Sequence, residues 1–340
     1  MKLGGVENIS RLKVYVRMGV GVKQACECPQ FAPFCNANAG FTNNGKGQAA
    51  GRVSMKADSL DIFLKRQADT LPKGPVALIF AEDEIGLGAT LRHHARIGFE
   101  NIILLAQEDT VLPADCVELC HHVVNDPATQ DTLVSAVNKA IAALEGRWLY
   151  YCYNGEYLHF PFCETRSVSE LITFITEERR KSAFTYVVDL YAADLDNNPY
   201  GYSLEDAHLD ASGYYALNRW KDGRVMERQL SIYGGLKWRF EEHLPWAKRR
   251  IDRVALFCAK AGLQMDAEQM FNDEEYNTYQ CPWHHSVTIA ICSFRTAKYL
   301  KSNPGSTFEV NSFAWSKSQK FHWNSQQLMD LGLMEPGQWF

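Results

Sequence analysis

Between Leu71 and Tyr191 the chain repeats one pattern, a short uninterrupted apolar run followed by apolar residues at helical spacing. The runs Pro75–Ala81 and Asn101–Ala106 have the length and composition of strands buried on both faces. Between them, over 84–97, Leu87, Leu91, His94 and Ala95 fall on one helical stripe, and Gly98 is placed to end that helix in the left-handed conformation. Residues 117–124 read as a third strand. Asp126-Pro127 reads as a helix start whose apolar face is Leu133, Val137, Ile141 and Leu144. Arg147–Tyr153 is a fourth strand after Gly146. Ser167-Val-Ser-Glu170 is a capping box opening a helix with Val168, Leu171, Ile172 and Ile175 inward, and Ala183–Tyr191 returns as a strand. Strands separated by helices of this length imply βαβ units and a mainly parallel sheet, so the expected class is α/β.

The C-terminal third is less regular. Arg253–Cys258 fits a strand or a helical segment, and 286–301 reads as a helix with Val287, Ala290, Ile291 and Phe294 inward. A short capped helix is expected over 325–331, stopped by Gly332. The expected organisation is a leader over 1–54, an α/β domain over 55–245, and an extension over 246–340 packing on it.

The leader differs in charge from the rest. Before Met55 there are seven basic and two acidic residues, so this segment carries +5 while the whole chain carries −5. Gly, Asn, Gln and Ala dominate 37–51 without apolar periodicity, the composition of a disordered tail or an upstream leader. Cys26, Cys28 and Cys35 lie here without paired CxxC spacing or a clear fourth ligand, a weak case for a metal site. The other cysteines fall mostly in apolar runs and read as reduced, packed thiols. No apolar run approaches the roughly 20 residues of a membrane span, and the overall charge gives no reason to expect nucleic acid. These features lead to the expectation of a cytoplasmic protein.

Ligands of open parallel sheets bind beyond the carboxyl ends of the strands. The residues following the strands are therefore informative. Glu82-Asp83-Glu84 follows the first, Gln107-Glu108-Asp109 the second and Asn154-Gly155-Glu156 the fourth. Gly86-Leu-Gly88 is too short for a dinucleotide fingerprint and carries no P-loop lysine. Acids at one sheet edge suit a cation bridging carboxylates to a diphosphate, although Glu84 alone is what any helix start favours. Cys116, Cys120, His121 and His122 look like zinc ligands, but adjacent strand residues face opposite ways and the structural reading is favoured.

Leu91-Arg-His-His-Ala-Arg-Ile-Gly-Phe99 followed by Asn101-Ile-Ile-Leu-Leu105 resembles the glycosyltransferase family 2-like proteins of GT-A fold. The resemblance continues through Arg147-Trp-Leu-Tyr-Tyr-Cys-Tyr-Asn-Gly-Glu-Tyr-Leu158, the helix at 168–175 and Asp210-Ala-Ser-Gly-Tyr214, spanning roughly 75–240. It implies a nucleotide-diphosphate sugar donor contacted by Glu82, Glu84, His94, Asp109 and Glu156, and an acceptor of the cell-surface polysaccharide class. The family's metal-binding aspartates fall on Tyr153 and Gly155, leaving Glu156. Three options follow: Mn2+ or Mg2+ held by Glu156 with another group such as His284; Arg or Lys neutralising the diphosphate; or a degenerate site that binds without turnover. Inverting transfer needs a carboxylate to deprotonate the acceptor, and Asp206 and Asp210 are the candidates.

Overall fold

The structure, a computed structural model, describes residues 54–125 and 132–339. The leader up to Arg52 and Val53, its three cysteines and the Asp126-Pro127 helix start lie outside the described residues. The first half contains β1 (Lys56–Ala57), α1 (Leu60–Gln67), β2 (Val76–Phe80), α2 (Leu87–Arg96), β3 (Asn101–Ala106), β4 (His121–Val124), α3 (Leu133–Ala143), β5 (Trp148–Tyr153), β6 (Glu156–His159) and α4 (Val168–Glu177). There follow β7 (Ser182–Ala192), β8 (Ala207–Asp210), β9 (Tyr215–Lys221), β10 (Arg224–Tyr233), α5 (Leu236–Arg239), β11 (Asp252–Cys258), β12 (Ile289–Ser293), α6 (Arg295–Ser302), β13 (Ser318–Lys320) and α7 (Ser325–Asp330).

The main sheet runs β1–β4–β3–β2–β5–β11–β7–β12–β6, with β8 and β13 continuing from β7. From β1 to β5 every pairing is parallel. β11 is antiparallel to both β5 and β7, so those two point the same way, and β12 is parallel to β7. The carboxyl ends of β2, β3, β4, β5, β7 and β12 therefore share one edge. The class is α/β with helices flanking the sheet, as the alternating pattern implies. Leu91 of α2, Val137 and Ile141 of α3 and Val168 and Leu171 of α4 join the fully buried β2 and β3 in the main core.

Local signals account for the helix ends. Ser167 Oγ accepts from Glu170 N at 3.3 Å while Ser167 N donates to Glu170 Oε2 at 2.7 Å, completing the capping box. Gly98 adopts φ +105°, and α2 stops there. The third strand is shorter than expected, because residues 114–119 form a 3-10 helix and only 121–124 pair with β3.

One C-terminal expectation is corrected. Residues 286–301 are not one helix: 289–293 form β12, and the helix begins at Arg295. Residues 246–340 supply β11 and β12, two inner strands of the sheet. Among the described residues no helix is long and apolar enough to cross a membrane. The seven described cysteines are free thiols, six of them buried.

Candidate functional site

At the shared carboxyl edge, β2 leads into the loop Ala81–Glu84, β5 into the turn Asn154-Gly155, and β12 into α6. Gly155 has φ +79°, a conformation that side chains carrying a Cβ rarely adopt, so the tight β5–β6 connection selects glycine there. Asn154 is fully buried and ties the two loops together. Its Oδ1 accepts from Glu82 N at 2.9 Å, and its Nδ2 donates to Asp83 Oδ1 at 2.7 Å and Ile85 O at 3.0 Å.

The first turn of α6 faces this loop. Arg295 and Lys298, three apart, lie on one helix face. Arg295 Nε and Nη2 each donate to the Glu82 carboxylate at 2.6 Å, and the guanidinium lies over the Tyr153 ring, 3.6 Å from its centre. Lys298 Nζ donates to both Asp83 oxygens at 2.9 Å and lies 3.4 Å from Asn154 O. A Cβ at residue 155 would sit 3.6 Å from Lys298 Nζ. Each position that the family resemblance aligns with a metal-binding aspartate is thus flanked by a protein cation.

A deeper row lies behind. Strand register sets Glu156, Ser293 and Asp189 side by side across β6, β12 and β7. Glu156 is 1% exposed. Its Oε2 accepts from Arg253 Nη2 at 2.6 Å and from Tyr153 N at 2.9 Å, and its Oε1 accepts from Ser293 Oγ at 3.1 Å. Burial pushes this carboxyl up, but Arg253 and the hydrogen bonds pull it down further, below the usual glutamate range. Burial raises Asp189, whose Oδ1 has no hydrogen-bond partner among the described residues, while Lys237 N donates to Oδ2 at 3.3 Å. Lys237 is itself lowered by burial. The edge therefore holds Glu82, Asp83, Glu156 and Asp189 against Arg253, Arg295, Lys298 and Lys237, a balanced set of charges.

Of the residues singled out from the sequence, Glu82 and Glu156 belong to this cluster. Glu84 is exposed and accepts from Val111 N at 3.2 Å, and Asp109 is exposed on the loop after β3. His94 is a core histidine: Nδ1 contacts Thr90 O at 2.8 Å, Nε2 lies 3.4 Å from Tyr150 Oη, and burial lowers its pKa to about 4. His284 Nε2 pairs with Glu178 at 2.8 Å. It precedes β12, whereas Glu156 sits beside that strand's last residue, so the two do not form one ligand set. Among the described residues no group of three or more His, Cys, Asp or Glu side chains could hold a metal ion. The donor set does not fit Mn2+ or Mg2+, because Glu156 already faces a guanidinium. Asp210 is 1% exposed and accepts from Tyr191 at 2.6 Å, Arg239 at 2.9 Å and Trp315 at 2.7 Å, a structural hub closed to an acceptor. Asp206 is more open, accepting from Asp194 N at 2.8 Å with His208 Nδ1 at 3.5 Å.

Sequence reading misses Asp189, Lys237, Arg295 and Lys298, and it sees Arg253 only as part of the basic run 248–253, more often a solvated surface than a diphosphate contact. A lone carboxylate in the apolar strand 182–192 is the signal that could have found Asp189, since buried charges rarely occur without a reason. A cavity of about 470 Å3, lined by Arg179, Arg180, Lys181, Lys260, Asp273 and Glu275 among others, opens where β7 begins. That is the opposite end of the parallel strands, and the convergence of charged groups from three strand ends marks the carboxyl edge as the better candidate.

No family model matches the chain, and no curated protein matches it. Among solved structures it is similar to the UTP-bound UGPase of Acinetobacter baumannii, at 12% identity and TM-score 0.31, covering 70% of this chain and 97% of that one. A second structure, UDP-glucose pyrophosphorylase of the same organism, gives 12% identity and TM-score 0.32 over the same shares. A Bacillus anthracis protein assigned as a glucose-1-phosphate thymidylyltransferase gives 7% identity and TM-score 0.28 over 70% and 79%. Likenesses this distant carry no weight for the chemistry, which rests on the geometry above.

Proposed function

We propose that the chain is a glycosyltransferase of GT-A type that moves a sugar, with inversion, from a nucleotide diphosphate to an acceptor hydroxyl, without a divalent cation. One observation carries the reading: Arg295 and Lys298 stand on the first turn of α6, beyond the carboxyl ends of parallel strands, against Tyr153 and Gly155. Departure of a nucleoside diphosphate develops negative charge on its bridging oxygen. Fixed guanidinium and ammonium groups stabilise that charge as a metal would, and an arginine fork also orients the phosphate. The family resemblance over roughly 75–240 supplies the donor class, and cell-surface polysaccharide is the acceptor class it suggests.

A second reading, a domain that binds nucleotide sugar without turnover, is favoured by the pairing within the cluster. Glu82, Asp83 and Glu156 are each engaged by a protein cation, and Asp189 is buried. Of the two base candidates, Asp210 is sealed and Asp206 is partly exposed, so Asp206 is the one proposed to take the acceptor proton.

Thermal-shift screening against UDP-, GDP- and CDP-sugars, in chelator and in manganese, separates the readings. A shift that persists in chelator, with nucleoside diphosphate released from the hit, supports the transferase. Binding without release supports the second reading. No shift with any nucleotide sugar defeats both.

A further inference from the structure

The Arg295 and Lys298 pairs have a peculiarity that a purely structural role does not explain. Their acidic partners are adjacent loop residues, Glu82 and Asp83, with side chains 37% and 38% exposed, whereas Glu156 in the deeper pair is sealed. Each cation also has a contact other than its acid. The Arg295 guanidinium rests on Tyr153 at 3.6 Å. Lys298 is buried, with Ile85 O at 3.5 Å and Asn154 O at 3.4 Å. The first turn of α6 contains no acidic residue, and its N-cap, Phe294, supplies no side-chain cap. The two cations on this turn thus form a preorganised anion site, with both carboxylates drawn onto it from one side.

We propose that Glu82 and Asp83 act as an internal stand-in for a ligand diphosphate. In the ligand-free protein their two carboxylates occupy Arg295 and Lys298, and an incoming diphosphate takes over the same donors as the acids swing into solvent. The exchange conserves charge pairing at the edge, so the cations are never left unpaired near the buried Glu156–Arg253 pair. The acids thereby set the affinity: only an anion able to engage both cations displaces both carboxylates, which disfavours a monophosphate. The assignment of the diphosphate to a nucleotide sugar rests on the preceding proposal, but the exchange itself requires only the anion.

The test is calorimetric titration of the full chain, in chelator, with inorganic pyrophosphate, inorganic phosphate and UDP-glucose, for wild type, Glu82→Gln, Glu82→Gln/Asp83→Asn and Arg295→Gln/Lys298→Gln. Glu82→Gln keeps the side-chain shape, and that carboxylate's hydrogen bonds are to Arg295, so it guards against loss of folding. The expected result is pyrophosphate binding that tightens roughly three- to tenfold in the two acid variants, as expected when partly exposed ion pairs need not be broken. It weakens at least about tenfold in the cation variant, with phosphate weaker than pyrophosphate throughout. Unchanged or weaker pyrophosphate binding in both acid variants, or retention in the cation variant, overturns the exchange. If UDP-glucose binds while the acid variants leave its affinity unchanged, the exchange fails and the donor reading stands. If pyrophosphate follows the expected pattern but UDP-glucose adds nothing to it, the exchange stands and the donor reading fails.

Discussion

Acid should destabilise this protein through its buried histidines before its carboxylates respond. His93, His94 and His159 are 6%, 0% and 2% exposed, and His93 lies with its ring centre 5.3 Å from each of the other two. Burial lowers His94 and His159 to about 4 and His93 well below its ordinary value, with mutual repulsion adding to the effect on His93. In the unfolded chain each titrates near 6.5. Between pH 6.5 and 4 the unfolded state therefore binds more protons, and stability falls as pH falls through that window. At pH 5 a histidine with these two values loses about 2 kcal/mol relative to pH 7.5, so His94 and His159 together lose about 4 kcal/mol. That is a large share of the roughly 5–15 kcal/mol typical of a folded domain. Glu156, depressed in the folded state, loses its contribution only as pH falls below the ordinary carboxylate range, and Asp189, raised by burial, works in the opposite direction. Urea unfolding followed by tryptophan fluorescence at pH 7.5, 6 and 5 measures the loss. The double variant His94→Asn/His159→Gln should flatten the slope over that window, whatever it costs at neutral pH. A wild-type loss below about 1 kcal/mol, or an unchanged slope in the variant, would refute the reasoning.

Removing one member of the sealed pair, by Arg253→Met, should cost about 3–5 kcal/mol in urea unfolding, because Glu156 would be left as a buried, uncompensated charge. Gly155→Ala should lower stability by about 1–2 kcal/mol through backbone strain, since the nearest atoms leave room for the methyl; Gly155→Asn, which tolerates positive φ better, should cost less in the same melt. Asp206→Asn should abolish sugar transfer while leaving calorimetric donor affinity within about threefold, and an active variant would remove Asp206 from the base role.

The fold was legible where local and global preferences agree. The runs 76–80 and 101–106 are strands because length and burial leave little alternative, and Ser167 with Glu170 writes a helix start into four residues. Legibility ended at 289–293. Val287, Ala290, Ile291 and Phe294 fit helical spacing as well as a buried strand, and only pairing with β6 and β7 decides between them. That ambiguity also hid the site. With the strand read as helix, Arg295 and Lys298 become ordinary charges on its surface instead of groups just past a strand end. The acids were visible because they follow clear strands, but their partners arrive from more than 200 positions away, a separation no local pattern records.

The placement of β11 between β5 and β7 bears on how the protein can be made. On a ribosome, residues through Ala192 emerge long before Asp252–Cys258, so β5 and β7 wait with bare edges and no strand to join them. Such an intermediate is prone to pair with a neighbouring nascent chain, and its closure is slow because the missing strand is remote in sequence. A fragment ending near 245 would keep most of the parallel strands yet lack the seam that joins the two halves of the sheet. It should accumulate in inclusion bodies, whereas a fragment shortened only after α7 keeps that seam intact.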